Sequence, residues 1–337
     1  GTSVGSGAIT VRKAIWIAAI FEFAGAVLAG GHVTGTIRKG IISAEVVPSP
    51  EALVLGMLAA LLAAGSWLMI ASSLGWPVST THTIVGALVG FGVIGIGMHA
   101  VQWDEVGSIV ASWLVSPVLG MVLAWLLAIS LQRLILNTEH PLRNAQVFGP
   151  VYVFCMGFLI SMVTIFKGLT HLNLEVSGGT AFIIAVLTGI ATAVLGKLLI
   201  RRVREPVDSD FKSQLLAVER VFAPLCVFTA CAMAFAHGSN DVANGIGPLA
   251  AVVTTVTTQQ IGATAELPLW ILTLGGFGIV LGLVTLGHRV MRTIGKRITE
   301  LTPSRGFCAE LAAAGTVVVA SRFGLPVSTT HITVSYT

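Results

Sequence analysis

Long apolar runs separated by short polar stretches occupy almost the whole chain. Residues 14–31 are apolar apart from Glu22, and residues 52–74, 106–131, 147–166, 181–200, 217–236, 267–287 and 307–323 form further runs. Each is close to the ~20 residues that cross a bilayer as a helix. The pattern therefore predicts an all-α polytopic membrane protein. Two stretches break it. Pro77-Val78-Ser79-Thr80-Thr81-His82 follows Gly75-Trp76 at the end of one run, and Pro326-Val327-Ser328-Thr329-Thr330-His331 follows Gly324-Leu325 at the end of another. Proline lacks the N–H and clashes with the preceding turn, so it stops a helix. Ser and Thr just after it favour the start of a new one. Each run should thus end and a second helix begin within apolar surroundings, offering hydroxyls, an imidazole and free backbone N–H groups. Membrane proteins build anion and ion sites in this way.

The charges test the topology. Suppose each proline-centred hairpin returns to its own side and the segment around Asp241 crosses once. Then Arg12, Lys13, Arg133, Arg143, Arg201, Arg202, Arg204, Lys212, Arg289, Arg292, Lys296, Arg297 and Arg305 fall on one side, against Arg38, Lys39 and Lys167 on the other. The positive-inside rule makes the richer side cytoplasmic. The same parity puts the loop before the first hairpin outside and the loop before the second inside, so the two copies are inverted. The expected architecture is an inverted-repeat transporter with two proline-broken re-entrant helical hairpins, working by alternating access. A duplication without a transport role is the plainer reading; it is set aside because the repeated residues are polar ones in an apolar setting. Residues 1–103 form the first inverted repeat, truncated at its start. Residues 104–216 supply connecting transmembrane helices and a basic cytoplasmic loop, and residues 217–337 form the second repeat, truncated at its end.

Composition agrees. The chain is 55% hydrophobic and 10% charged with mean hydropathy +0.91, against roughly 25% charged residues in a soluble domain. Its 38 glycines suit helices that approach closely in lipid. Cys155, Cys226, Cys231 and Cys308 lie in apolar runs without metal-ligand spacing and read as core. The net charge of +4 belongs to the loops between apolar runs and implies no nucleic-acid partner. The opening residues, with no initiator Met, read as the middle of something, so the chain is expected to be open at both ends.

A second concentration of polarity is Gly238-Ser239-Asn240-Asp241-Val242-Ala243-Asn244. A carboxylate beside two amides suits a hard cation, and the glycines would let the backbone unwind so that carbonyls also face the ion. Asn and Asp beside Gly usually mark an exposed turn; apolar flanks on both sides favour burial here. Glu22 and Glu310 each read two ways, as ligands for a coupling ion or proton, or as neutral carboxyls hydrogen-bonded across a helix interface. His82 and His331 could relay protons or cap their own helices. Arg322 could snorkel or attract an anion, and His32 and His288 read as interfacial. No nucleophile–base set or HExxH motif points to an enzyme. A channel would more often repeat its filter around a symmetric pore.

These motifs resemble a known family. Gly238-Ser239-Asn240-Asp241-Val242-Ala243-Asn244 with Gly247-Pro248-Leu249-Ala250-Ala251 is similar to the duplicated signature of the PiT inorganic phosphate transporters, and the paired Pro-Val-Ser-Thr-Thr-His segments to its second repeated element. The likeness includes Glu22 in Phe21-Glu22-Phe23-Ala24-Gly25-Ala26 and Glu310 in Gly306-Phe307-Cys308-Ala309-Glu310-Leu311, and its loops resemble the bacterial and plastid branch. Aligning Gly1 with Gly247 places the first Asn-Asp element upstream of residue 1. The resemblance implies import of inorganic phosphate coupled to Na⁺ or H⁺, with no other metal or cofactor. It implies phosphate binding by Ser79, Thr80, Thr81, Ser328, Thr329 and Thr330, and coupling-ion binding by Asn240, Asp241, Asn244, Glu310 and Glu22. A sulfate permease of the same fold is the alternative, since sulfate presents the same tetrahedral oxygens. The expected setting is the plasma membrane, or the plastid inner envelope in a eukaryote, with lipid as neighbour and a homodimer left open.

Overall fold

The protein is described by a computed structural model that covers residues 1–31, 34, 40–165, 177–203, 210–261, 267–294, 301–322 and 327–335. His32, Arg38, Lys39, Lys167, Arg204, Lys296, Arg297 and the break Gly324-Leu325-Pro326 lie outside the described residues. The elements used below are all helices: α1 Thr2–Gly5, α2 Val11–Ala29, α3 Pro50–Leu74, α4 Thr80–Phe91, α5 Trp103–Leu131, α6 Pro141–Val163, α7 Gly178–Ile200, α8 Phe211–Thr258, α9 Leu269–Gly282, α10 His288–Thr293, α11 Pro303–Arg322 and α12 Thr329–Ser335. Among the described residues, six helical stretches are long and apolar enough to cross a membrane. This is a multi-pass integral membrane protein.

The first hairpin is made by local signals. Pro50 occupies the opening turn of α3, where its missing N–H costs nothing, and the Ser49 hydroxyl accepts from the Ala52 amide at 3.2 Å. The helix stops at Gly75, whose φ of 73° suits glycine. Residues 76–78 belong to no helix, and the Ser79 hydroxyl then caps α4 by accepting from the His82 amide. Phe91 at the end of α4 fills the space left by Gly56 near the start of α3, so the two helices run antiparallel. Their outer ends are tied by Ser43 N–H donating to the Ala100 carbonyl and Gln102 N–H to the Ile41 carbonyl, each at 2.9 Å. The chain therefore leaves where it entered, which is the re-entrant return. Its core of Leu53, Met57, Ile84 and Leu88 packs onto Ile109 of α5 and Ala243 of α8.

In the second copy α11 runs to Arg322 and α12 starts at Thr329, where the Ser328 hydroxyl accepts from the His331 amide at 3.2 Å as Ser79 does in the first.

One expectation is overturned. The backbone around Asp241 does not unwind; α8 is a single 48-residue helix through Gly238 and Gly245. Gly238 serves close approach instead. A Cβ there would overlap the carbonyl of Glu22, and one at Gly25 would overlap the carbonyl of Phe235. Helices α2 and α8 thus meet backbone to backbone, as small residues allow in lipid. Away from this contact, Phe222 of α8 packs edge-on to Phe307 of α11 at 5.5 Å, and the Tyr152 hydroxyl pairs with Ser130 at 2.9 Å.

Candidate functional site

The two hairpin starts face each other, and their contacts are reciprocal. Thr81 donates to the Val327 carbonyl, and Thr330 donates to the Val78 carbonyl, both at 3.2 Å. His82 and His331 meet edge to face with centroids 4.4 Å apart. Equivalent residues of the two motifs exchange equivalent bonds, as a two-fold relation between inverted copies requires.

Asp241 lies beneath this junction. Its Oδ2 accepts from Thr80 at 2.9 Å and from Thr329 at 3.1 Å, so one carboxylate oxygen holds the first threonine of each hairpin. The neighbouring Asn240 amide donates to Asp241 Oδ1 and to the Val327 carbonyl, each at 3.0 Å. One turn on, Asn244 Nδ2 donates to Thr80 and Thr81. Both threonine hydroxyls already donate elsewhere, so the amide orientation follows from the network. That leaves Asn244 Oδ1 as a buried oxygen without a hydrogen-bond partner among the described residues. A carboxylate and an unused amide oxygen in one buried place are hard-cation chemistry.

His237 was given no role from sequence, although its i, i+4 spacing puts it on the Asp241 face once α8 is continuous. Its Nε2 lies 3.2 Å from Asp241 Oδ2, and its Nδ1 lies 3.4 Å from Glu22 Oε1. The second contact is within ion-pair distance but leaves Nδ1 without a formed hydrogen bond. An imidazole therefore stands between two carboxylates whose side chains are only 7% and 12% accessible. Trp113, also not singled out, packs tilted against His82 with ring centroids 3.7 Å apart.

Glu310 is placed differently. It is buried and accepts from the hydroxyl of Thr2 in α1, not from the Asp241 cluster. A cavity of about 270 Å³ nevertheless joins the two regions, with Glu22, His237, Glu310, Thr329 and Thr330 in its wall. Ser79 and Ser328 are buried at the helix starts, where each hydroxyl accepts an amide and keeps its own proton to donate. The structure thus brings together ten of the sequence-derived residues around Asp241 and the hairpin starts, with Glu22 joined through His237 and Glu310 reached across the cavity.

Inverted broken-helix hairpins closing over a buried carboxylate define a membrane transporter for small ions. The sequence model described as the phosphate transporter family matches residues 1–337, and the chain belongs to that family. It is 51% identical over 336 residues to a putative phosphate permease of Haemophilus influenzae, a match covering 98% of this chain and 79% of that protein. A putative phosphate permease of Pyrococcus abyssi is 42% identical over 99% of this chain and 80% of its own length. A chloroplastic inorganic phosphate transporter of Arabidopsis thaliana is 42% identical over 98% of this chain and 60% of its own. Among solved structures, one titled the sodium-dependent phosphate transporter superposes with a TM-score of 0.89 at 40% identity, covering 99% of this chain and 81% of that one.

Proposed function

We propose that the chain carries inorganic phosphate across the membrane with a coupling cation, Na⁺ being favoured, by alternating access. The observation that carries this reading is the junction of Thr80 and Thr329 on one Asp241 oxygen. It couples the place where the hairpins meet to the place where a cation would sit. On the anion side, Ser79, Thr80, Thr81, Ser328, Thr329 and Thr330 supply hydroxyls and helix-start amides, which bind phosphate oxygens without a buried arginine. On the cation side, Asp241, Asn240 and Asn244 supply oxygens, with Glu22 and Glu310 as further carboxylates in the wall of the adjoining cavity. A cation there replaces the hydroxyl donors on Asp241 and frees them for the anion, so each ion prepares the other's site. Na⁺ is favoured because the solved relative is titled sodium-dependent. Proton coupling is the second reading, and the imidazole between Glu22 and Asp241 supports it; His82 and His331 would then relay protons along the hairpin junction.

Uptake of labelled phosphate into proteoliposomes tests the reading. Replacing Na⁺ by choline should remove most uptake, and excess sulfate should compete weakly. Full uptake in choline with an imposed proton gradient would transfer the coupling role to H⁺, and equal competition by sulfate would remove the assignment to phosphate.

A further inference from the structure

A second polar cavity lies at the inner end of the first hairpin, away from the Asp241 cluster. It has a volume of about 300 Å³ and lies between Ser73–Gly75 and α10, with His288, Arg289 and Arg292 in its wall and no carboxylate lining it among the described residues. Arg289 donates to the Ser73 carbonyl, and Thr293 donates to the Gly75 carbonyl at 2.9 Å. These two bonds hold the last carbonyls of α3, the negative end of a 25-residue helix. Arg292 and His288, in contrast, make no hydrogen bond or ion pair among the described residues. Basic residues at a cytoplasmic boundary follow from topology alone. A concave wall bearing three of them, with no counter-charge among the described residues, is more than topology requires.

We infer that this cavity binds a phosphate group at the cytoplasmic face, independently of the transport site. The guanidinium fork of Arg292 matches two phosphate oxygens, and a cavity of this size holds a tetrahedral anion with part of its water. Arg289 lies on the same wall, so a bound anion competes with the Ser73 carbonyl for it. Two sources share this chemistry: free phosphate arriving from inside, and the headgroup of an anionic lipid. Leu74 and Trp76, 58% and 50% exposed, flank the cavity and suit the acyl chains of the second source.

The test compares the chain with its Arg292→Gln and Arg292→Lys variants in phosphatidylcholine nanodiscs. One arm adds phosphatidylglycerol and counts retained lipid by native mass spectrometry. The other titrates inorganic phosphate without Na⁺ by equilibrium dialysis. Arg292→Gln should weaken binding of at least one probe about tenfold, a change of one decade in affinity. Arg292→Lys should retain most of it, and Na⁺-dependent phosphate binding should be unchanged in both variants. Loss on the lipid arm identifies a headgroup site, and loss on the dialysis arm identifies a site for free phosphate. Binding of both probes by Arg292→Gln at the parent affinity overturns the inference. His288→Gln, read on the same arms with the same outcomes, serves if Arg292→Gln does not fold.

Discussion

Asp241 makes the sharpest demand on its surroundings, because a carboxylate at membrane depth is expensive to retain unless something compensates it. The compensation visible here comes from two threonine hydroxyls, the Asn240 amide and the His237 imidazole. Asp241→Asn keeps the shape and removes the charge; it should abolish coupled transport while leaving the protein folded in the membrane, read as uptake at limiting Na⁺ against the amount of purified monodisperse protein. Uptake at the parent rate would refute the assignment. Thr80→Val and Thr329→Val each delete one hydroxyl bond to the same oxygen, and a bond to a charged group is worth about 1.5–3 kcal/mol. Each should shift the Na⁺ dependence of uptake by roughly ten- to a hundredfold, and the shift should be similar for the two because their geometry is.

Helix α8 shows why glycine in a membrane segment has two meanings. At Gly238 a side chain would overlap the Glu22 backbone, so Gly238→Val should prevent α2 from docking and destroy the folded species seen by size exclusion. At Gly245 nothing lies within 4 Å of an added Cβ. Gly245→Ala should therefore be tolerated and gain about 0.5–1 kcal/mol of helix propensity, visible as a raised melting temperature. The exposed start of α8 offers a pH handle. Asp210 caps the helix by accepting from the Ser213 amide at 3.0 Å. The Ser213 hydroxyl and amide, helped by nearby Lys212, hold its carboxyl below the usual range. A lowered carboxyl stabilises the fold at neutral pH, and that contribution disappears as pH falls below ~4, where the group takes up its proton. Asp210→Ala should thus lower thermal stability at neutral pH and make little difference in acid.

For the whole molecule, the hairpins were legible because Pro77 and the Ser-Thr-Thr triplets are local signals whose consequence does not depend on distant packing. Asp241 was legible because charge stands out in an apolar run. The continuity of α8 was not, since Gly238 and Gly245 look alike in sequence and only the approach of α2 separates them. His237 was missed for the same reason, because its alignment with Asp241 depends on an unbroken helix. The reciprocal bonds of Thr81 and Thr330 to Val327 and Val78 involve backbone carbonyls, which carry no sequence signal. What the structure adds is a single junction in which two inverted hairpins share one carboxylate. Cysteines placed singly at Ser79 and Ser328 probe that junction. Phosphate should slow modification of both by a small membrane-permeant thiol reagent, with the same concentration dependence and only when Na⁺ is present. Protection at one position alone, or at both without Na⁺, would mean that the two hairpins do not form one cation-linked phosphate site.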